Sequence, residues 1–242
     1  LLKLVAQMHA DIVSTLSVAY TANQPEIVLL AADHSPARAL QMVARRIGKK
    51  WLDRFDELAP QMASYFATAV KDRNDRQMAA DLRRAGMTVR FKMTAAMNDA
   101  YRAVIGENVA LIRSIAETHL TGVETLVMRS VQDGRDLGAL TEGLTKQYGV
   151  TKRKAARIAL DQNNKATAVL QRTRHLEMGI TTATWLHSAG GKTPRPDHVQ
   201  FSGKTYSIAK GHDFDDGEGP VWPGTAINCR CVAVPVVPGF DD

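Results

Sequence analysis

The hydrophobic period of the chain changes once, near residue 180, and that change limits the available folds more than any other feature. Before it, apolar residues return at steps of three and four, the spacing that gives a helix one buried face. After it come the Thr-rich, β-prone run Thr181 to Trp185 and short apolar stretches broken by Gly and Pro. A chain of 242 residues can bury a real core in one large domain or two modest ones. The pattern predicts an α+β protein with a long, mostly α-helical N-terminal region and a small α+β C-terminal domain. The expected divisions are a helical region over 1–130, a helical lead-in over 131–180 and the small domain over 181–242.

Within the helical part, Leu1, Leu4, Val5, Met8, Ile12, Val13 and Leu16 share one face as far as Asn23-Gln24-Pro25, where proline stops the helix. Ser35 is the expected N-cap of a second helix, with Pro36 at its first position. Leu40, Val43, Ile47, Trp51, Phe55 and Leu58 mark its apolar face, and Arg45, Arg46, Lys49, Lys50 and Arg54 its basic outer face. The stripe resumes after Pro60, and a short exposed helix is expected over 71–84, stopped by Gly86. Residues 91–132 read as one or two long helices, with Gly106 the place for a kink or break. His119 lies on their apolar face and reads as a core residue with no ligand role. A turn at Gln132 to Arg135 leads to a short helix ending near Tyr148-Gly149. Thr151 then caps a further helix that Gly179 closes.

The net charge of +6 is unevenly placed: residues 181–242 carry 5 Lys/Arg against 7 Asp/Glu, so the basic excess lies in the helical part. Its most basic element holds Lys152, Arg153, Lys154, Arg157, Lys165, Arg172 and Arg174. Three cations in a helix's first turn oppose its dipole at a cost of up to about 1 kcal/mol. Such a surface suits DNA or an acidic partner; a solvated face is the competing reading. No apolar run approaches the ~18 residues of a membrane span, and no signal-peptide pattern follows the apolar Leu1 to Val5. Nothing in the sequence therefore points to secretion or a membrane. The chain opens on Leu1 rather than Met, as a portion of something longer would. Its two cysteines, Cys229 and Cys231, are too close to close a comfortable disulfide. Free thiols or a metal site, in a reducing compartment such as a cytoplasm, follow from that spacing.

The chemically capable side chains crowd into the tail: Trp185, His187, Arg195, Asp197, His198, His212, Trp222, Cys229, Arg230 and Cys231. Three readings compete for them. Cysteines two apart on an extended strand face one way, so both thiolates could reach one Zn²⁺, with His198 and one of His187, His212 or Asp197 completing the shell. Alternatively, a Cys held against His198 could act as a nucleophile, although no H-E-x-x-H, G-x-S-x-G or P-loop accompanies it. The third reading is a small core in which His198 is hydrogen-bonded and the cysteines pack as small apolar residues. A domain of roughly sixty residues has a thin core and gains most from this third arrangement, with Trp185 and Trp222 supplying area and no cofactor required. Arg195, Lys192 and Arg230 suit a phosphate or, equally, the acidic loop Asp213 to Glu218. That loop lacks the late bidentate Glu of a calcium site.

A Trp-bearing strand, then Arg195, Asp197-His198 and Gly203, a variable loop, and a closing Trp222-Pro223-Gly224 with Asn228-Cys229-Arg230-Cys231 together resemble the C-terminal domain of phage Mu F-like minor head proteins. The turn Gly134 to Leu137 and the helix after Tyr148 to Thr151 are similar too, so the resemblance covers roughly residues 130–235. The run Gly190 to Pro196 departs from the polar, charged run common in that family. The resemblance implies a structural head-morphogenesis protein rather than an enzyme, made in the host cytoplasm and held in the virion. It implies a place in the capsid interior near the portal vertex, with the portal protein as partner and no membrane in the mature head. The major capsid or scaffolding protein and packaged double-stranded DNA are the further partners it suggests, and head assembly, genome packaging and ejection the process. Two alternatives stay open beside it. One is a metal-dependent nuclease or hydrolase using His198 with Cys229 and Cys231; the other is a DNA-binding module.

Overall fold

The computed structural model describes residues 1–22, 36–84, 86–132, 136–190, 193–217 and 219–237. The cap expected at Ser35, the turn residues 133–135, Lys192 and Glu218 lie outside these. Four long helices come first: α1 (Leu2–Ala22), α2 (Pro36–Arg84), α3 (Ala95–Gln132) and α4 (Leu137–Glu177). A small domain follows, with β1 (Thr182–Leu186), the short α5 (Pro196–Gln200), β2 (Thr205–Ser207) and β3 (Val232–Pro235). This is the α+β architecture that the change of period predicts.

The helices are longer than local signals suggest. Pro60 sits inside α2, which also takes in the segment expected to be a separate short helix. Likewise, α3 passes Gly106, and α4 runs unbroken across Tyr148-Gly149. A helical proline costs about 3 kcal/mol and a glycine about 1. Against those costs stand continuous buried stripes: Ile47, Trp51, Phe55, Ala59 and Ala63 flank Pro60, while Leu140, Leu144 and Ala155 flank Gly149. Thr151 is accordingly no cap. Its hydroxyl donates to the Gln147 carbonyl at 3.0 Å and meets His119 Nδ1 at 2.8 Å. The end of α4 does match expectation. Gly179, at φ +76°, lets Ile180 N–H reach the His175 carbonyl at 2.9 Å and its own N–H reach Leu176 at 3.0 Å, the paired bonds of a Schellman cap. Among the described residues, no helix is long and apolar enough to cross a membrane.

The chain divides into two compact units, Leu1–Met62 with Asn108–Ile158 and Ala63–Glu107 with Ala159–Asp242. In the first, α1 buries Val5, Met8, Ile12 and Leu16, and α3 buries Ile115, His119, Val123 and Val127. Tyr20 donates to Ser130 at 2.7 Å, Asp11 accepts from both Lys50 and Trp51 at 2.7 Å, and His9 stacks on Tyr148 at 4.4 Å. In the second, Ala67, Val70, Met97, Val104, Ala166 and Leu170 form a helical core. Beside it in this unit lies the tail's own cluster of Ile180, Ala183, Trp185, Tyr206, Ile208, Cys229 and Cys231.

Two buried imidazoles make stability depend on pH. Burial pushes His119 down to about 4, with nearby His9 adding to the effect, and burial alone pushes His175 down to about 4. Both rings are therefore neutral in the folded chain, whereas in the unfolded chain they protonate near 6.5. Their contribution is intact above that value and is lost as pH falls from about 6.5 to about 4, at up to about 1.4 kcal/mol per pH unit for each ring. Urea unfolding at about pH 7.5 and about pH 5 should show this loss. A His119→Gln, His175→Gln chain should show a shallower dependence in the same window.

Candidate functional site

The tail is organised on β1. It is the central strand of an antiparallel sheet in the order β2-β1-β3, with Ala183 opposite Tyr206 on one side and Trp185 opposite Ala233 on the other. Period-2 alternation turns Ala183 and Trp185 inward, where neither has any exposure. The Trp185 ring meets His198, Phe201, Tyr206 and Phe214 edge-on, at centroid distances from 4.9 to 5.8 Å. The backbone on both sides of Trp185 holds the turn after α5: its N–H donates to Lys204 at 2.9 Å and its carbonyl accepts from Gly203 at 2.7 Å. Pro196 starts α5. Among the residues of that helix, His198 is buried, with its ring against Trp185 and stacked on Phe214 at 4.8 Å.

The Cys-bearing segment arrives from the other side. The indole N–H of Trp222 donates to Ile208 at 2.8 Å, the Arg172 guanidinium lies 4.1 Å from the Trp222 ring centre, and Pro223 is buried. Asn228, at φ +57°, donates its N–H to the Asp161 carboxylate at 2.5 Å. Asn164 donates to the Cys229 carbonyl at 3.3 Å. Two polar side chains of α4 thus fix the backbone around the cysteines.

The result is a buried group of three donors. His198 Nδ1 lies 3.5 Å from Cys229 Sγ and 3.7 Å from Cys231 Sγ, and one ligand atom from each of the three residues lies within 4.8 Å of the others. His187, half-buried just beyond β1, brings its Nδ1 to 3.6 Å from Cys231 Sγ. A cavity of about 40 Å³ is lined by these four side chains together with Ser188, Thr193, Pro194, Arg195, Asn228 and Arg230. The hydrogen bond from Cys231 holds the Cys229 thiol well below the usual thiol range. That same bond, together with burial, pushes Cys231 up.

Of the other histidines and acids weighed for this group, His212 instead stacks on Phe201 at 3.6 Å, and Asp197 is exposed on α5. Arg195 and Arg230 bond the carbonyls of Ile227 and Gly190. The basic residues of α4 divide into two sets. In the first unit Lys152, Arg153 and Arg157 are exposed, and Lys154 donates to Thr118 at 3.2 Å. In the second, Lys165 pairs with Asp161 at 3.3 Å, Arg172 packs on Trp222, and Arg174 is 2% exposed, paired with Asp75 and Glu177. Asp161, Asn164 and Phe214 are the positioning residues that sequence reasoning passed over. The one available signal was Asn163-Asn164, two poor helix formers in mid-helix.

This geometry defines a small α+β domain closed around a Cys/His group. Residues 121–234 match the family described as Phage Mu protein F like protein. That segment is similar to this family, and it contains the whole Cys/His group. An uncharacterized protein of Haemophilus influenzae is 26% identical over 212 residues, covering 83% of this chain and 45% of that protein. The chain thus spans less than half the length of this relative. No solved structure matches the chain.

Proposed function

We propose that the chain works as a structural minor head protein of a tailed phage, placed in the capsid interior at the portal vertex and acting in head assembly and genome packaging and ejection. The observation that carries this reading is the family match over residues 121–234, which takes in every tail residue that builds the Cys/His group. The group's form supports a structural role over a catalytic one. Cys229 and Cys231 are 4% and 6% exposed, and the cavity that both cysteines and both histidines line is about 40 Å³; a cavity of about 370 Å³ reaches Cys231 but is lined by none of Cys229, His187 and His198. Small-molecule sites run from about 300 Å³ upward. The exposed cations Lys152, Arg153 and Arg157 of α4 supply a surface for packaged DNA or for an acidic face of the portal. The major capsid and scaffolding proteins are the other candidate partners.

Co-expression with the portal protein of the same genome tests the reading. The expected result is a complex that survives size-exclusion chromatography. If the two proteins elute separately at every salt concentration, portal association is wrong.

A further inference from the structure

We propose that His198, Cys229 and Cys231, with His187 as fourth ligand, form a closed tetrahedral Zn²⁺ site that ties the end of β1, α5 and the segment before β3 together. The separations fit such an ion. With Zn–S bonds of about 2.3 Å and Zn–N bonds of about 2.1 Å, a tetrahedron puts neighbouring sulfur and nitrogen ligands about 3.6 Å apart. Three of the four sulfur–nitrogen pairs of that shell lie at 3.5, 3.6 and 3.7 Å; His187 is near Cys231 but outside the group of three whose ligand atoms lie within 4.8 Å of one another, so its ring must swing inward to complete the shell.

Hydrogen bonding alone leaves this group poorly used. His198 Nδ1 faces two sulfurs but has either one lone pair or one proton, so it serves one of them. A cation between the donors engages every one of them. Charge closes as well: two thiolates balance Zn²⁺, two imidazoles remain neutral, and each thiol gives up its proton as the metal binds. The cavity of about 40 Å³ lined by these four residues has room for an ion.

Four protein ligands leave no open position for water or substrate, which makes the site structural rather than catalytic. The three segments it joins lie far apart in sequence within a domain whose core is thin, the setting in which small folds depend on a metal. The proposal goes beyond the head-protein reading and stands or falls separately from it, since it concerns the chain in isolation.

The test uses the full chain, expressed with zinc in the medium and dialysed. Elemental analysis should find one zinc per chain. After the metal is removed under reducing conditions, titration with Co²⁺ should give the strong visible bands of tetrahedral cobalt and a thiolate-to-cobalt charge-transfer band. Cys229→Ser and Cys231→Ser should each weaken the charge-transfer band, and His198→Ala should lose the tetrahedral spectrum. His187→Ala should keep the charge-transfer band while the visible bands shift as water takes the fourth position. A wild-type chain that is folded by circular dichroism yet carries no zinc and gives no cobalt spectrum overturns the proposal. Cobalt spectra unchanged in both serine variants would overturn it equally.

Discussion

Trp185→Ala should lower the stability of the tail by about 3–5 kcal/mol, the cost of emptying a fully buried aromatic site. The ring has no exposed surface and touches four other aromatic rings, one of them His198. The surrounding groups cannot collapse easily into the space, because β1 is held on both sides by β2 and β3. Trp185→Phe should lose less, since it keeps an edge-on ring and leaves a smaller void. Denaturant unfolding followed by Trp222 fluorescence measures both, because Trp222 is in the same cluster. A loss below about 1 kcal/mol for the alanine variant would mean that the tail's core does not centre on β1.

Arg174→Met should be the second large loss, about 3 kcal/mol or more, because it strands a carboxylate in a poorly solvated site. The Arg174 side chain is 3% exposed and that of Asp75 is 18% exposed. Its guanidinium donates to both oxygens of Asp75 at 3.0 and 3.1 Å, to Glu177 at 2.9 Å and to the Lys92 carbonyl at 2.6 Å. Lysine cannot reproduce that fork, so Arg174→Lys should recover little. Adding Asp75→Asn to Arg174→Met should restore part of the loss, since it removes the stranded charge. Chemical denaturation of the four chains of this cycle gives the coupling. Additive losses would show that the pair does not act as a unit.

These two residues also show what a reader of the sequence could and could not see. Trp185 is legible: it stands on the inward phase of a short β-prone run, and a large apolar side chain there has one place to go. Arg174 is not. As one cation among seven in a basic helix it reads as surface, because the carboxylate that neutralises it sits 99 residues earlier in the chain. The same limit governs the site. Cysteines two apart, with an Asp-His upstream, announce a shared face. That Asn164 and Asp161 would hold the cysteine backbone depends on contacts 65 and 67 residues apart, which no local pattern encodes. Helix ends divide in the same way. Gly179 stops α4 through bonds made within the last turn. Pro60, Gly106 and Gly149 fail to stop anything, because local penalties of about 1–3 kcal/mol are outweighed by the buried stripes on either side of them.

The segment similar to the Mu F family reaches from Thr121 in α3 through all of α4 to Val234 in β3. It therefore includes the exposed cations Lys152, Arg153 and Arg157 as well as the Cys/His group. The proposed role asks both to serve one end, with the group keeping the tail folded and the helix offering charge to a polyanion or portal face. Quantitative mass spectrometry of purified DNA-filled heads, compared with heads from a phage whose copy of this gene is deleted, tests that role most directly. The account predicts that the chain is present in wild-type heads at low copy relative to the major capsid protein, and that the deletion lowers the yield of infectious particles. Its absence from purified heads, with particle yield unchanged by the deletion, would contradict the account.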